Sequence, residues 1–276
     1  MKRMIITAAA ALLLCSCAAA SKEESSEGFL DIIEQAVEDA GNASPALTDY
    51  SALSTEKHGY GQGVQLDNEN RPAGAVDFNN VFGKYGAKAI DSADTKTIRL
   101  TFDQGYENGY TAGILDTLAE KNVRATFFVL EDYAEKNPEL VRRMIDEGHT
   151  VGNHSVTHRS MPDLSAGECR EEVMGLHKYI RDRFGYEMKE FRPPMGEFSE
   201  LSLAVTRDCG YETVLWSYAY ADWDVNAQPD PGEALEKLTS ALHNGAIYLL
   251  HSVSSTNASV LGDFIDCARE AGYEFV

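Results

Sequence analysis

Basic residues are scarce in this chain. It has 24 lysines and arginines against 44 aspartates and glutamates, which gives a formal net charge of −20. A surface of that sign repels phosphate backbones and anionic lipid headgroups. We therefore predict that nucleic acid is not a partner.

Long hydrophobic runs are also lacking. The apolar run at residues 4–14 is too short for a permanent membrane span, but after the basic N-terminus it has the form of an export signal. Leu14-Cys15-Ser16-Cys17 resembles a bacterial lipobox. We predict a lipoprotein-type signal peptide over residues 1–20, with Cys17 lipidated and anchored in the cell membrane. Ordinary cleavage and secretion is the alternative, and either places the mature protein outside the cytoplasm.

Cysteine is the third shortage. Beyond the predicted signal only Cys169, Cys209 and Cys267 remain. An odd number argues against a disulfide framework, and each lies on the apolar stripe of a predicted helix. Buried free thiols are therefore expected.

What the chain does have is enough apolar residues, 43%, to bury one large core. Residues 21–49 are predicted as an acidic amphipathic helix and linker, and residues 50–96 as irregular structure wrapping the domain. From residue 97, short apolar runs alternate with helical patterns that end at glycines. Such alternation requires a parallel sheet, and a barrel accommodates this many units best. We predict the α/β class, with an irregular β/α barrel over residues 97–276.

Polar side chains follow the ends of several predicted strands. Asp103 and Gln104 end the first strand, and His251 ends a late one. Three further clusters, at residues 153–158, 192–196 and 222–223, follow the strands between them. Because the carboxyl ends of parallel strands meet at one edge, we expect these side chains to be neighbours.

Two of these side chains have the spacing of a metal site. His154 and His158 are four residues apart, which on a helical turn places both rings on one face, ~6 Å apart along the axis. Two imidazoles there can share one divalent ion, zinc or another first-row metal, and a capping or packing pair is the alternative. A metal beside an aspartate implies hydrolysis, because the ion lowers the pKa of a bound water.

The remaining polar residues supply proton transfer. Asp103 is the predicted base and His251 the predicted acid that protonates a leaving amine. Arg192 is expected to keep Asp103 ionised, and Asp222 to keep the imidazole of His251 charged. Each of these residues also has a structural interpretation as a strand-end ion pair, a turn residue or a packed histidine.

Taken together, these motifs resemble a known family. Its motifs run T-F-D-D-G, H-S/T-x-x-H, R-P-P-x-G, D-W and L-L-H, and the chain has counterparts in that order, from Thr101-Phe102-Asp103-Gln104-Gly105 to Leu249-Leu250-His251. Residues 97–276 thus resemble a polysaccharide deacetylase domain, the NodB homology domain of carbohydrate esterase family four. The resemblance implies a distorted (β/α)7-type barrel that removes acetyl groups from glycans.

The same resemblance implies a role for each matched residue. Asp103 would be the base, His251 the acid, and His154 and His158 the metal ligands. Arg192 would lie near the base. The backbone of Pro194 and Met195 would lie beside the oxyanion, and Trp223 beside the substrate.

A subgroup is similar in more detail. Residues 101–111, 246–254 and 52–61 resemble the delta-lactam-biosynthetic de-N-acetylases of spore formers. That likeness implies deacetylation of muramic acid in the peptidoglycan glycan strand, so that a lactam can close. It also implies that the wrapping segment is integral to the domain.

Some positions depart from the family pattern. Gln104 stands where most members have a metal-binding aspartate and the subgroup has asparagine, so it is a candidate third ligand and metal retention is expected to be weak. Glu107 is a candidate to compensate. Met195 and Ala219 stand where many relatives have an aromatic residue and an aspartate. N-acetylglucosamine or O-acetyl deacetylation, and a non-catalytic glycan-binding lipoprotein, therefore remain as alternatives.

Overall fold

Residues 49–276 are described in this computed structural model. The predicted signal peptide at residues 1–20, its lipidation site Cys17 and the acidic helix predicted within residues 21–48 lie outside the described residues. Within residues 49–276, no helix is long and apolar enough to cross a membrane.

Short strands alternate with helices along the described chain. The strands are β1 (His58–Gly59), β2 (Ala87–Lys88), β3 (Thr97–Gln104), β4 (Thr126–Val129), β5 (Thr150–Asn153), β6 (Glu190–Phe191), β7 (Glu197–Phe198), β8 (Glu212–Val214), β9 (Tyr218–Ala219), β10 (Ala246–His251) and β11 (Glu274–Phe275). The helices are α1 (Ala73–Phe82), α2 (Thr111–Glu120), α3 (Glu131–Lys136), α4 (Pro138–Asp146), α5 (Ala166–Phe184), α6 (Glu200–Asp208), α7 (Pro231–Ser240) and α8 (Ser255–Glu270). A 9-stranded sheet has the order β2-β8-β6-β5-β4-β3-β10-β9, with β11 beside β3.

Residues 212–219, which carry β8 and β9, contribute strands near both ends of the strand order of this sheet. Strand β8 pairs in parallel with β6, and β9, which follows it closely in sequence, pairs in parallel with β10. Phe128, Val214 and Ile247, from β4, β8 and β10, pack together in a small cluster of their own. Since these three strands are not neighbours in the sheet, their contact requires the sheet to curl. The predicted irregular β/α barrel is thereby confirmed as a curled parallel sheet.

Local signals set the helix ends where the sequence predicts them. Ser165 accepts a hydrogen bond from the backbone N–H of Glu168, whose side chain completes the capping box of α5. The same helix ends at Gly185, which takes the left-handed conformation at φ 70°. Pro138 and Pro231 are the first residues of α4 and α7.

The segment at residues 50–96 is more regular than predicted. It contains helix α1, whose Phe78 packs in one cluster with Phe198 and Leu215 of the barrel. Strand β1 pairs with β7, and the hydroxyl of Tyr60 donates to the carbonyl oxygen of Trp216 at 2.6 Å. Burial of the aromatic face stabilises a helix that glycine and asparagine disfavour.

The cysteines are free, as predicted. Cys169 is buried, but Cys209 and Cys267 are only half-buried, so the prediction of burial is wrong for those two. Both lie near the carboxyl ends of their helices, where the apolar stripe reaches the surface.

Gly152 makes room for an aromatic ring inside the barrel. A Cβ atom at Gly152 would lie 2.5 Å from Cδ1 of Phe128. The guanidinium of Arg192 covers the same ring at 4.2 Å from its centroid, so the ring cannot simply move aside. We expect Gly152→Ala to lower the free energy of unfolding by about 1–3 kcal/mol, measured by urea denaturation.

Gly113→Ala is the matched control for this prediction. Gly113 lies in α2, and a Cβ atom there meets nothing within 4 Å. Alanine at that position should raise the free energy of unfolding by about 0.5–1 kcal/mol. Equal stability of the two variants would contradict the packing described here.

Candidate active site

The carboxylate of Asp103 lies at the end of β3 and is only 9% exposed. Its Oδ1 accepts a hydrogen bond from Nη1 of Arg192 at 2.8 Å, and its Oδ2 lies 3.6 Å from Nε2 of His154. Burial alone would raise the pKa of Asp103, but the charge and hydrogen bond of Arg192, together with the charges of His154 and His251, outweigh it and hold that pKa below its ordinary value. The carboxylate is therefore ionised at neutral pH.

Arg192 follows β6 and is fully buried. Besides Asp103, its guanidinium donates to the carbonyl oxygens of Val214 at 3.0 Å and Leu215 at 2.9 Å. Burial lowers the pKa of Arg192 and its pairing with Asp103 opposes that shift, so we take the side chain as a cation. Its own carbonyl oxygen lies 2.8 Å from Nδ1 of His154. One residue thus positions both the carboxylate and the first histidine.

His154 and His158 are neighbours, but the helical turn predicted for them is wrong. Residues 154–158 form a loop in which Ser155 and His158 have positive φ angles of 77° and 58°. The two rings nevertheless lie 5.0 Å apart, centroid to centroid, at an angle of 69°. The loop brings the rings together through its own geometry and without helical spacing.

Buried side chains build that loop. Glu172 of α5 accepts hydrogen bonds from the backbone N–H groups of Val156 at 3.0 Å and Thr157 at 2.8 Å. Asn153 accepts from the N–H of Ser155. These hydrogen bonds replace the backbone hydrogen bonds of a helical turn. Sequence patterns did not predict that Glu172 and Asn153 hold the histidine loop in place.

His251 ends β10 directly beside Asp103, because the two residues are register partners on neighbouring parallel strands. Its Nδ1 lies 2.7 Å from Oδ1 of Asp222, whose Oδ2 accepts from the backbone N–H of His251 at 2.8 Å. Burial alone would lower the pKa of His251, but the hydrogen bond to Asp222 and the negative charges of Asp222 and Asp103 together outweigh it and raise that pKa above its ordinary value of 6.5. The imidazole therefore holds its proton to higher pH than an ordinary histidine.

The other predicted site residues line the mouth of the barrel. Pro194 is buried, whereas Met195 is 53% exposed and has a φ angle of 59°, rare for a residue with a side chain. Trp223 is 58% exposed, and its ring centroid lies 6.1 Å from that of His251. Exposed apolar side chains at the mouth of a polar pocket suit the faces of sugar rings.

Gln104 and Glu107 are both engaged in the scaffold. The amide nitrogen of Gln104 donates to Oγ of Ser252 at 2.5 Å, while its Oε1 is buried without a partner in the described structure. Glu107 accepts from the N–H of Gly109 and from the hydroxyl of Thr111. Both carboxylate oxygens of Glu107 thus hold the loop after β3, which gives that residue a structural task.

The side chains present fit one divalent ion held mainly by imidazoles. The Nδ1 of His154 faces a carbonyl oxygen, so it carries the proton and leaves Nε2 as the free donor atom. Burial lowers the pKa of His154 to about 4, and partial desolvation lowers the pKa of His158, so both rings are neutral at pH 7. Within residues 49–276, no three histidine, cysteine, aspartate or glutamate side chains form a metal cluster. The unpartnered amide oxygen of Gln104 is a neutral donor atom that keeps this residue a candidate third ligand.

Comparison with known proteins decides the family. The sequence profile of the polysaccharide deacetylases matches residues 91–214. Over 209 residues the chain is 40% identical to the Bacillus subtilis peptidoglycan-N-acetylmuramic acid deacetylase PdaA, covering 75% of this chain and 80% of PdaA. The chain belongs to the polysaccharide deacetylase family.

A solved structure and a more distant relative agree with this assignment. The structure of Bacillus subtilis PdaA, a family 4 carbohydrate esterase, superposes with a TM-score of 0.77 at 38% identity, covering 81% of this deacetylase and 95% of that chain. A Listeria monocytogenes peptidoglycan-N-acetylglucosamine deacetylase is 36% identical over 181 residues, which is 66% of this chain and 38% of that protein.

Membership identifies the protein as a hydrolase that acts on carbon–nitrogen bonds other than peptide bonds. The recognition from the five motifs is thereby confirmed. It also favours an enzyme over the non-catalytic glycan-binding alternative.

Proposed function

We propose that this deacetylase releases acetate from N-acetylmuramic acid of peptidoglycan, in a metal-dependent reaction, outside the cytoplasm. The observation that carries the proposal is the register of β3 and β10, which places Asp103, a carboxylate with a lowered pKa, beside His251, an imidazole with a raised pKa. The choice of muramic acid follows the likeness to PdaA, whose name specifies that substrate.

In the proposed reaction Asp103 accepts a proton from the water that attacks the acetamide carbonyl carbon. A new carbon–oxygen bond forms, the carbon–nitrogen bond breaks, and His251 donates its proton to the departing nitrogen. Arg192 keeps Asp103 ionised, and Asp222 holds the imidazole of His251 in its charged form. The products are acetate and a free amine on the sugar.

Other side chains position the substrate. We assign the backbone of Pro194 and Met195 to the developing oxyanion and the exposed ring of Trp223 to the sugar. His154 and His158 would hold the ion, and Gln104 remains a predicted third ligand. When bound, a divalent ion lowers the pKa of a coordinated water and polarises a carbonyl oxygen. Because Gln104 is neutral where most of the family have a metal-binding aspartate, we expect weak retention of the ion.

The product suggests a biological context. A free amine on muramic acid can attack the lactyl carboxyl group of the same sugar, which closes a delta-lactam with loss of the group bound there. We propose that the deacetylase serves this modification of the cell wall, as in the spore cortex of spore formers. The likeness to PdaA and the subgroup motifs support the assignment.

Acetate release from whole peptidoglycan, from glycan strands without stem peptides and from chitin oligomers tests the reaction. We expect release from peptidoglycan, or from its glycan strands without stem peptides, with a matching loss of mass in the muropeptides. Asp103→Asn should lower kcat by ~10²–10⁴, since it removes the base. Chelation should abolish activity, and added zinc or another first-row ion should restore it.

Asp163→Asn is the control, because Asp163 is an exposed carboxylate paired with Lys57 at the surface. Its kcat should equal that of the wild type. Activity confined to chitin oligomers would contradict the muramic assignment and favour N-acetylglucosamine. Full activity of the Asp103→Asn variant would contradict the proposed mechanism, in which Asp103 is the base.

We further propose that Cys17 carries a lipid that anchors the protein in the cell membrane. The lipobox-like sequence Leu14-Cys15-Ser16-Cys17 supports this. Blocking the lipoprotein signal peptidase with globomycin should make a larger precursor accumulate in cells, visible by immunoblot. Unchanged size of the protein under globomycin would instead indicate ordinary secretion.

A further inference from the structure

A buried amide lies behind the pair formed by Asp222 and His251. Asn257, in the first turn of α8, is 1% exposed. Its Nδ2 lies 2.6 Å from Oδ2 of Asp222 and 3.2 Å from the carbonyl oxygen of His251. The same amide thus contacts the carboxylate and the strand end that carries the imidazole.

The orientation of this amide is itself determined. The hydroxyl of Tyr220 is hydrogen-bonded to Oδ1 of Asn257, and because an amide oxygen only accepts, the tyrosine donates. The backbone N–H of Asn257 donates to Oγ of Ser254 at 3.0 Å, which fixes the residue within the helix cap. Nδ2 is therefore the end of the amide that faces Asp222.

We propose that Asn257 is a positioning residue for deacetylation: it holds the carboxylate of Asp222 in the orientation that hydrogen-bonds to Nδ1 of His251. Tyr220 acts one step further back, by holding the amide of Asn257. The inference rests on the function proposed above, in which His251 is the acid.

Three donors hold the carboxylate of Asp222, namely Nδ1 and the backbone N–H of His251 and Nδ2 of Asn257. Asp222 itself is 1% exposed, so water cannot easily replace a lost donor. Without Asn257, Oδ2 keeps only one of its two hydrogen bonds, and the carboxylate is free to rotate away from the imidazole. An aspartate at position 257 would instead place a second carboxylate against Asp222.

The charged and titratable groups that face His251 are Asp222, Asp103, Arg192 and His158. Asn257→Ala changes none of them. A shift in the titration of His251 in that variant would therefore report on the placement of Asp222 and on no other charge.

The experiment compares Asn257→Ala with the wild type in acetate release from soluble glycan strands and in the NMR titration of His251. We expect kcat to fall about 10-fold, a part of the ~10²–10⁴ that a general acid supplies, with KM changed less than about twofold. The pKa of His251 and the alkaline limb of kcat should both move to lower pH. Asp222→Asn should do the same more strongly, and Tyr220→Phe more weakly.

Ser259→Ala is the matched control, because Ser259 lies on the same helix and its hydroxyl donates to the carbonyl oxygen of Thr256, away from Asp222 and His251 in the hydrogen-bond network. It should match the wild type in kcat and in the pKa of His251. If Asn257→Ala does not fold, kcat for acetate release is measured in Asn257→Asp and Tyr220→Phe instead. A kcat equal to that of the wild type in either variant overturns the proposal.

The NMR titration needs no substrate, which separates two kinds of failure. A wild type that releases no acetate from any of these glycans would refute the proposed function. An unchanged pKa of His251 in Asn257→Ala, or a kcat within twofold of the wild type, would refute the positioning role alone.

Discussion

The fully buried guanidinium of Arg192 is the constraint on which the site depends. A buried cation has to be paired and hydrogen-bonded, and this one is held by Asp103 and by the carbonyl oxygens of Val214, which ends β8, and of Leu215, which follows it. Its ring partner Phe128 in turn requires a glycine at position 152. The ionisation of the base, the packing of the barrel interior and the placement of His154 therefore all depend on one side chain and its backbone.

A second constraint is the register of the central strands. Asp103 and His251 are adjacent because β3 and β10 pair in parallel, and a slip by one residue would turn one of the two away from the pocket. Arg192 is the strongest of the groups that lower the pKa of Asp103, and Asp222 is the strongest of those that raise the pKa of His251, while the attraction between Asp103 and His251 favours the charged form of both. A base and an acid can thus be present together at neutral pH.

Sequence reasoning could predict the parts of this fold that depend on local signals. The alternation of strands and helices, the capping box of α5 and the polar residues at strand ends all follow from short patterns. Helix α1 could not be predicted, because burial of Phe78 against Phe198 overrides weak helix propensity. The geometry of residues 154–158 could not be predicted either. It depends on the carboxylate of Glu172 in α5, more than a dozen residues further along the chain.

The same limit explains why Asn257 and Tyr220 escaped notice. A glutamate or an asparagine on a helix has no signal in the sequence that shows it turned inward toward a site. Only the tertiary contacts reveal that buried polar groups brace each end of the pocket, Glu172 behind the histidine loop and Asn257 behind the acid. Motifs therefore identify the residues that touch the substrate better than those that hold them in place.

The central claim is that an ionised Asp103 and a protonated His251 act together. The dependence of kcat/KM on pH tests it most directly, because the two limbs report the base and the acid of the free enzyme. The account predicts a bell-shaped profile, with an acid limb tied to the lowered pKa of Asp103 and an alkaline limb whose midpoint lies above 6.5. An alkaline limb with its midpoint below 6.5, or a rate that is highest where Asp103 is protonated, would contradict it.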